Sequence, residues 1–164
     1  MKILLLMRHA KSSFEDNQAS DFERGLNKRG EKDAPRMGKL LKEKDLVPDL
    51  ILSSKAVRTS KTAEIVAEKA GYKKEINYVE GFYLGEPDVY LEALSALDDD
   101  KLDTVMVVGH NPGLETLLQI LTDHVESLPT GAIAYLELPI RSWKAVSKDL
   151  VANLKKLWRP RDLK

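Results

Sequence analysis

The chain has no cysteine among its 164 residues, which excludes disulfides, thiolate catalysis and cysteine-ligated zinc together. That is compatible with an intracellular home, and we read the protein as cytoplasmic. An excess of one charge is also missing, since Lys plus Arg and Asp plus Glu both number 26. With no global basic field, nucleic acid and anionic membrane are not expected partners, and any phosphate affinity has to be local. There is no long hydrophobic run either. The N-terminal apolar stretch, Ile3 to Met7, spans five residues before Arg8, too short for a signal-peptide core or a membrane span. No H-E-x-x-H or His-carboxylate cluster of ligand spacing occurs, so neither a metal nor another cofactor is expected. Repeats, low-complexity tracts and linkers are absent as well, and the length predicts one domain over 1–164.

What is present is an ordered set of buried-strand patterns, each ending in charged or polar residues. Ile3 to Met7 reads as a central strand covered on both faces, and it stops at Arg8-His9. Taken alone, that pair reads equally well as the first solvated residues after a core strand. A second run, Thr104 to Val108, ends in Gly109-His110-Asn111-Pro112-Gly113, and a third, Leu50 to Leu52, leads into Ser53-Ser54-Lys55-Ala56-Val57-Arg58. Two of only three histidines thus occupy equivalent strand ends. In open α/β sheets the carboxyl ends of the strands are where ligands bind, so two imidazoles and two guanidiniums are predicted to face one sheet edge.

Between the strands the pattern turns helical. Asn27 can cap a helix to about Lys44, which Pro35 should kink or restart; Ala56 to Ala70 carries an apolar stripe ending at Gly71; Pro87 opens a third helix. A fourth carries Leu114, Leu117, Leu118 and Leu121, with Asn111 as its expected cap and Pro112 at its first position. Ala132 to Leu138 alternates like a strand, a short strand is expected through Trp143 to Val146, and Leu150, Leu154, Leu157 and Trp158 suggest a last helical turn or two. Strands alternating with helices predict a three-layer α/β/α sandwich around a mostly parallel central sheet. His124, Lys28-Arg29 and Lys155-Lys156 read as solvated surface. Thr130-Gly131-Ala132 reads as a strand-entry turn that could also border a pocket.

Arginine presents a planar fork of donors that matches phosphate oxygens, and a neutral imidazole can accept a phosphoryl group in line. Such transfer needs chiefly positioning and neutralised charge. Arg8 and Arg58 can neutralise, His110 can donate, and His9 can attack phosphorus. The helix start at Asn111-Pro112 is expected to add free backbone N–H groups. A metal site is the weakest alternative, because the arginines beside both histidines repel a cation.

Arg8-His9-Ala10-Lys11-Ser12 resembles the R-H-G-x-[ST] signature of the histidine phosphatase superfamily, also called phosphoglycerate mutase-like. Ser53 to Glu64 is similar to its S-P-x-x-R-x-x-Q-T-A-E helix start, and Val107 to Gly113 to its V-G-H-N-P strand end. Asp21 to Gly30 and Trp158 to Arg161 also look like the short SixA-type phosphohistidine phosphatases. The resemblance implies the phosphoglycerate mutase-like fold, a covalent phosphohistidine on His9, and a phosphate pocket of Arg8, Arg58 and His110. It extends substrate contact to Ser12 at the entrance and to Asn111. Ala10, Lys55 and Lys61 depart from the usual glycine, proline and glutamine. The larger relatives carry a glutamate as general acid where Leu84 aligns here, with Glu80 and Glu86 as nearby candidates.

A missing acid favours a leaving group that needs little help with its proton, such as the imidazole of phosphohistidine, and a chain without long insertions suits a protein substrate. The expected activity is hydrolysis of phosphohistidine in proteins. A phosphomonoesterase of small phosphorylated compounds and a phosphate- or phosphoprotein-binding module with little turnover are the alternatives. A mutase would need an acid and a closing lid.

Overall fold

The computed structural model describes residues 1–13 and 20–163. Its elements run β1 (Lys2–Arg8), α1 (Lys28–Glu43), β2 (Leu50–Ser53), α2 (Val57–Ala70), β3 (Asn77–Tyr78), α3 (Pro87–Ser95), β4 (Thr104–Gly109), α4 (Gly113–Thr122), β5 (Ile133–Leu138) and β6 (Asn153–Trp158). Short 3-10 turns lie at Glu80–Phe82, Trp143–Ala145 and Pro160–Asp162. The strands form one sheet in the order β3-β2-β4-β1-β5-β6. Its first four strands are mutually parallel, and β5 runs antiparallel to both β1 and β6.

Successive residues of a strand face opposite sides of the sheet, and β1 and β4 are apolar on both. Leu4, Leu6, Val105 and Val107 join Leu94 of α3 and Leu114 and Leu117 of α4 in one core. Leu5, Met7, Met106 and Val108 join Met37 of α1 and Val66 of α2 in the other. Burying each such side chain contributes roughly 1.5–3 kcal/mol relative to exposure. Helices therefore cover both faces, and the layers are α1/α2, sheet, α3/α4, as expected.

Helix boundaries follow the capping chemistry in most places. Asn27 is extended, and its side chain accepts the Gly30 N–H at 2.9 Å, starting α1. Pro35 does not mark the first turn. The cap sets the start at Lys28, and the buried stripe Ala34, Met37, Leu40 and Leu41 carries the helix past the missing proline N–H to Glu43. Gly71 closes α2 with φ +84°. At α4 the expectation is corrected: Pro112, not Asn111, immediately precedes the helix, it follows a cis peptide bond, and no side chain caps it. The Asn111 amide instead donates to Glu115 Oε2 and to the Leu128 carbonyl, each at 2.9 Å.

The C-terminal third departs from expectation twice. Trp143 to Val146 is not a strand. Both edges of β5 are already taken by β1 and β6, so this segment closes its own 3-10 turn, with the Ser142 side chain accepting the Lys144 N–H at 3.3 Å. Residues 153–158 are strand rather than helix. Leu154 pairs with Leu136 and Leu157 with Ala134, because an irregularity at Tyr135/Leu136 inserts an extra residue in β6. Two leucines three apart thereby reach one core, and the spacing imitates a helix.

Candidate active site

Parallel register assembles the centre of the site. Arg8 lies opposite Gly109 in the adjacent strands β1 and β4, so the next residue of each, His9 and His110, leaves the sheet abreast, with ring centroids 5.4 Å apart. On the other side of β4, β2 ends at Ser53 opposite Val108, and the chain turns into α2, whose first turn carries Arg58. Arg8, His9, Arg58 and His110 line one cleft of about 540 Å³, together with Ser12 and Asn111. They are not solvated strand ends, for His9 is 7%, Arg58 2% and His110 1% exposed.

Among the described residues five buried side-chain atoms lack a protein partner, and four of them belong to this cleft: Arg8 Nε, Arg58 Nε, His110 Nδ1 and Asn111 Oδ1. Buried polar groups are nearly always paired, so such a cluster marks a place prepared for a ligand. Arg8 is anchored where its Nη1 donates to the Leu128 carbonyl at 3.2 Å. That loop is held in turn by Glu115, which accepts the Leu128 N–H at 2.7 Å. Burial presses the Arg8 pKa downward against the pull of Glu115, but a guanidinium keeps its charge.

His9 stands 2.7 Å from the Ala10 carbonyl through Nδ1. A carbonyl only accepts, so Nδ1 carries the proton and Nε2 keeps its lone pair. Burial lowers the His9 pKa to about 4, with Arg58, Arg8 and Arg24 pushing the same way. His110 falls to about 3 through burial, then the neighbouring His9 and Arg58. Its Nε2 shares a hydrogen bond with Ser54 Oγ at 2.8 Å. Its backbone N–H donates to the Tyr90 hydroxyl at 3.2 Å, and burial pushes that phenol up to about 12. Both imidazoles are therefore neutral at neutral pH. The Ala10 N–H donates to Thr62 Oγ1 at 3.0 Å, tying the β1 end to α2.

Three residues of the site went unassigned from sequence: Asp21, Arg24 and Tyr83. Asp21 Oδ2 lies 3.1 Å from Arg58 Nη2 and accepts the Tyr83 hydroxyl at 2.5 Å, while its Oδ1 lies 2.9 Å from Arg24 Nη2. The Tyr83 hydrogen bond, then those from the arginines, hold its carboxyl well below the usual carboxylate range. Arg24 also donates to Ser12 Oγ, which explains how Ser12 is held at the cleft. Asp21 and Arg24 lie inside the run from Asp21 to Gly30, and their D-x-x-R spacing is the available signal.

The acid candidates do not gather here. Leu84 lines the cleft and is 57% exposed. Glu80 and Glu86 are exposed and line no part of it. Asp21 is the one carboxylate lining it among the described residues. Thr130 borders the cleft, and Gly131, at φ +80°, donates its N–H to the carbonyls of Arg8 at 3.1 Å and His9 at 2.9 Å. Glycine is needed there for its left-handed φ and because a Cβ would meet the Pro160 ring at 2.9 Å. No group of three His, Asp or Glu side chains forms a metal site among the described residues, and no helix among them is long and apolar enough to cross a membrane.

Comparison with known proteins adds a lineage to this geometry. A family model described as histidine phosphatase superfamily (branch 1) matches residues 4–83. An uncharacterized chloroplastic protein of Arabidopsis thaliana is 32% identical over 149 residues, covering 86% of this chain and 68% of the plant protein. Phosphoglycerate mutases match only in part: the Saccharomyces cerevisiae enzyme is 38% identical over 72 residues, 29% of its own length. A crystal structure from Agrobacterium tumefaciens, assigned to the phosphohistidine phosphatase SixA, superposes with TM-score 0.82 at 28% identity and covers 97% of this chain and 98% of that one.

Proposed function

Because the chain belongs to the histidine phosphatase superfamily, we propose that this histidine-nucleophile phosphatase hydrolyses phosphohistidine in proteins, with His9 as the group that takes the phosphoryl. The observation that carries the reading is the state of His9. Its Nδ1 proton is committed to the Ala10 carbonyl, its pKa is about 4, and guanidiniums with unpaired nitrogens stand beside it. Nε2 is then a neutral nucleophile at any pH above that value.

In the first step Nε2 of His9 bonds to phosphorus as the phosphorus–nitrogen bond of the substrate breaks, and the substrate imidazole, already protonated on its other ring nitrogen, takes the electron pair and leaves as a neutral ring. Arg8 and Arg58 neutralise the equatorial oxygens, and His110 Nδ1 donates when the Ser54 hydroxyl donates to Nε2. Asn111, drawn to Glu115 and Leu128 by its amide, supports the loop that anchors Arg8, and Ser12 aligns Arg24. In the second step water displaces His9 and inorganic phosphate is released.

The leaving group follows from the proton inventory. Asp21, the one carboxylate lining the cleft among the described residues, is held ionised by Tyr83 and two arginines. Expelling an alkoxide needs a positioned acid worth about 100- to 10,000-fold. A phosphoramidate needs less, which favours phosphohistidine over a sugar phosphate. The solved SixA relative points the same way.

The test is turnover of a phosphohistidine protein and an aryl phosphate by wild type and His9→Ala, with EDTA present. We expect turnover by wild type alone, with the higher kcat/KM on phosphohistidine. A kcat/KM on the aryl phosphate equal to or above that value overturns the substrate class. Binding of phosphate without turnover of either substrate leaves a sensing module.

A further inference from the structure

Beside the catalytic cleft lies a second groove of about 350 Å³, and Lys11, Pro129 and Thr130 line both. Its remaining charged lining is Arg29, Arg161 and Asp33. We propose that this groove docks acidic side chains that flank the phosphohistidine on a protein substrate, an inference that rests on the phosphatase reading above.

The charge balance is the first argument. Across the whole chain cations and anions cancel, at 26 each, whereas here three cations meet one carboxylate. That carboxylate is already shared: buried Asp33 lies 3.1 Å from Arg29 Nε and 3.6 Å from Arg36 Nη1. The Lys11 side chain is exposed and makes no hydrogen bond or ion pair among the described residues. The Arg161 side chain is 70% exposed, and its ion pair with Asp162 is stretched to 4.0 Å.

The groove is also held at a fixed offset from His9. Lys11 follows His9 by two residues, and its carbonyl accepts the Asn27 N–H at 3.0 Å. Gly30 packs so closely on that peptide that a Cβ would come within 2.1 Å of the Lys11 oxygen, so the first turn of α1, with Arg29, is locked against it. On the other wall Gly131 bonds to the Arg8 and His9 carbonyls, and a Cβ there would meet the Pro160 ring at 2.9 Å. Arg161 follows directly. The cations therefore come from three segments, each pinned to the strand that presents the nucleophile.

The style of the site selects its occupant. The catalytic cleft buries Arg58 and leaves Nε of both Arg8 and Arg58 unpaired, as a site for one compact dianion does. The groove instead offers exposed cations on long stems. Contacts of that kind are individually weak, salt-sensitive and additive, and they steer a protein surface more than they hold a small anion. Carboxylates near the phosphorylated residue match them.

Three phosphohistidine peptides, identical except for acidic, neutral or basic flanks, test the idea. Wild type is expected to favour the acidic over the neutral peptide by about fivefold to tenfold in kcat/KM, through KM, with the preference fading in high salt. Arg161→Glu should abolish or invert the order, and Arg161→Lys should keep it. Equal kcat/KM on all three peptides, or a preference that Arg161→Glu leaves intact, overturns the proposal. Binding of the unphosphorylated acidic peptide, read by fluorescence anisotropy, separates the two readings. Binding weakened by Arg161→Glu with no turnover of any peptide sinks the phosphatase reading and keeps the groove. No binding sinks the groove.

Discussion

At the floor of the cleft His9, Arg58 and His110 are almost wholly buried, and Arg8, Arg58 and His110 each leave a nitrogen without a partner. At the rim Asp21, Arg24 and Tyr83 are more open and satisfy one another through hydrogen bonds. The floor thus holds an unmet demand for an anion, while the rim supplies its own carboxylate, Asp21, to Arg58. A pocket of this kind binds phosphate by exchanging a weaker internal anion for a stronger external one. The strengths of the two layers should therefore differ by orders of magnitude under substitution.

The largest separation is expected at Arg58. Removing its guanidinium takes away a buried, charge-assisted pair of donors, and Arg58→Ala should lower kcat/KM by about 10²–10³-fold. Steady-state turnover beside a circular dichroism spectrum that matches wild type checks it. Arg58→Lys should recover only part of the loss, because an ammonium cannot reproduce the planar fork. Rim and floor would be equivalent in function if Arg58→Ala cost no more than tenfold.

Acid should divide the layers next. His9 and His110 have folded pKa values of about 4 and about 3, below the ordinary value near 6.5. Between those limits the unfolded chain binds more protons than the folded one, so stability is full above about pH 6.5 and falls as pH drops toward 3. The ionised Asp21 adds a loss in the same direction, beginning as pH falls through the ordinary carboxylate range. Imidazole titration by NMR is expected to place both midpoints at or below about pH 4, with the melting temperature falling through the same window. Midpoints near 6.5 would mean that the floor is wet and its demand for an anion already met by solvent.

The same two layers differ in how far sequence could reveal them. The floor was legible because each of its residues ends a short, fully apolar run or opens a helix with a capped or glycine-closed pattern. Parallel register then brings the ends together without further information: Arg8 faces Gly109, and the histidines follow. The rim was not legible, since Asp21 meets Arg58 across 37 residues and Tyr83 across 62, and no periodicity announces such pairs. The C-terminal hairpin failed for a different reason. The extra residue in β6 placed Leu154 and Leu157 on one face, a spacing that periodicity assigns to helix. Asn111 failed because a residue that looks like a cap found a better acceptor set in Glu115 and Leu128.

The smallest effect is expected at Asp21, and its sign is the informative part. Asp21→Asn keeps the size of the side chain and an acceptor for Tyr83, but it removes the negative charge that competes with phosphate for Arg58 Nη2. Asp21 is half exposed, with a side chain 47% accessible, so water and salt screen much of that competition. Inorganic phosphate should then inhibit Asp21→Asn about two- to fivefold more tightly than wild type, with the gap narrowing in high salt. The inhibition constant at two ionic strengths reads both. Weaker inhibition would reverse the interpretation: the carboxylate would be holding Arg58 and Arg24 in position for phosphate, and the rim would belong to the floor.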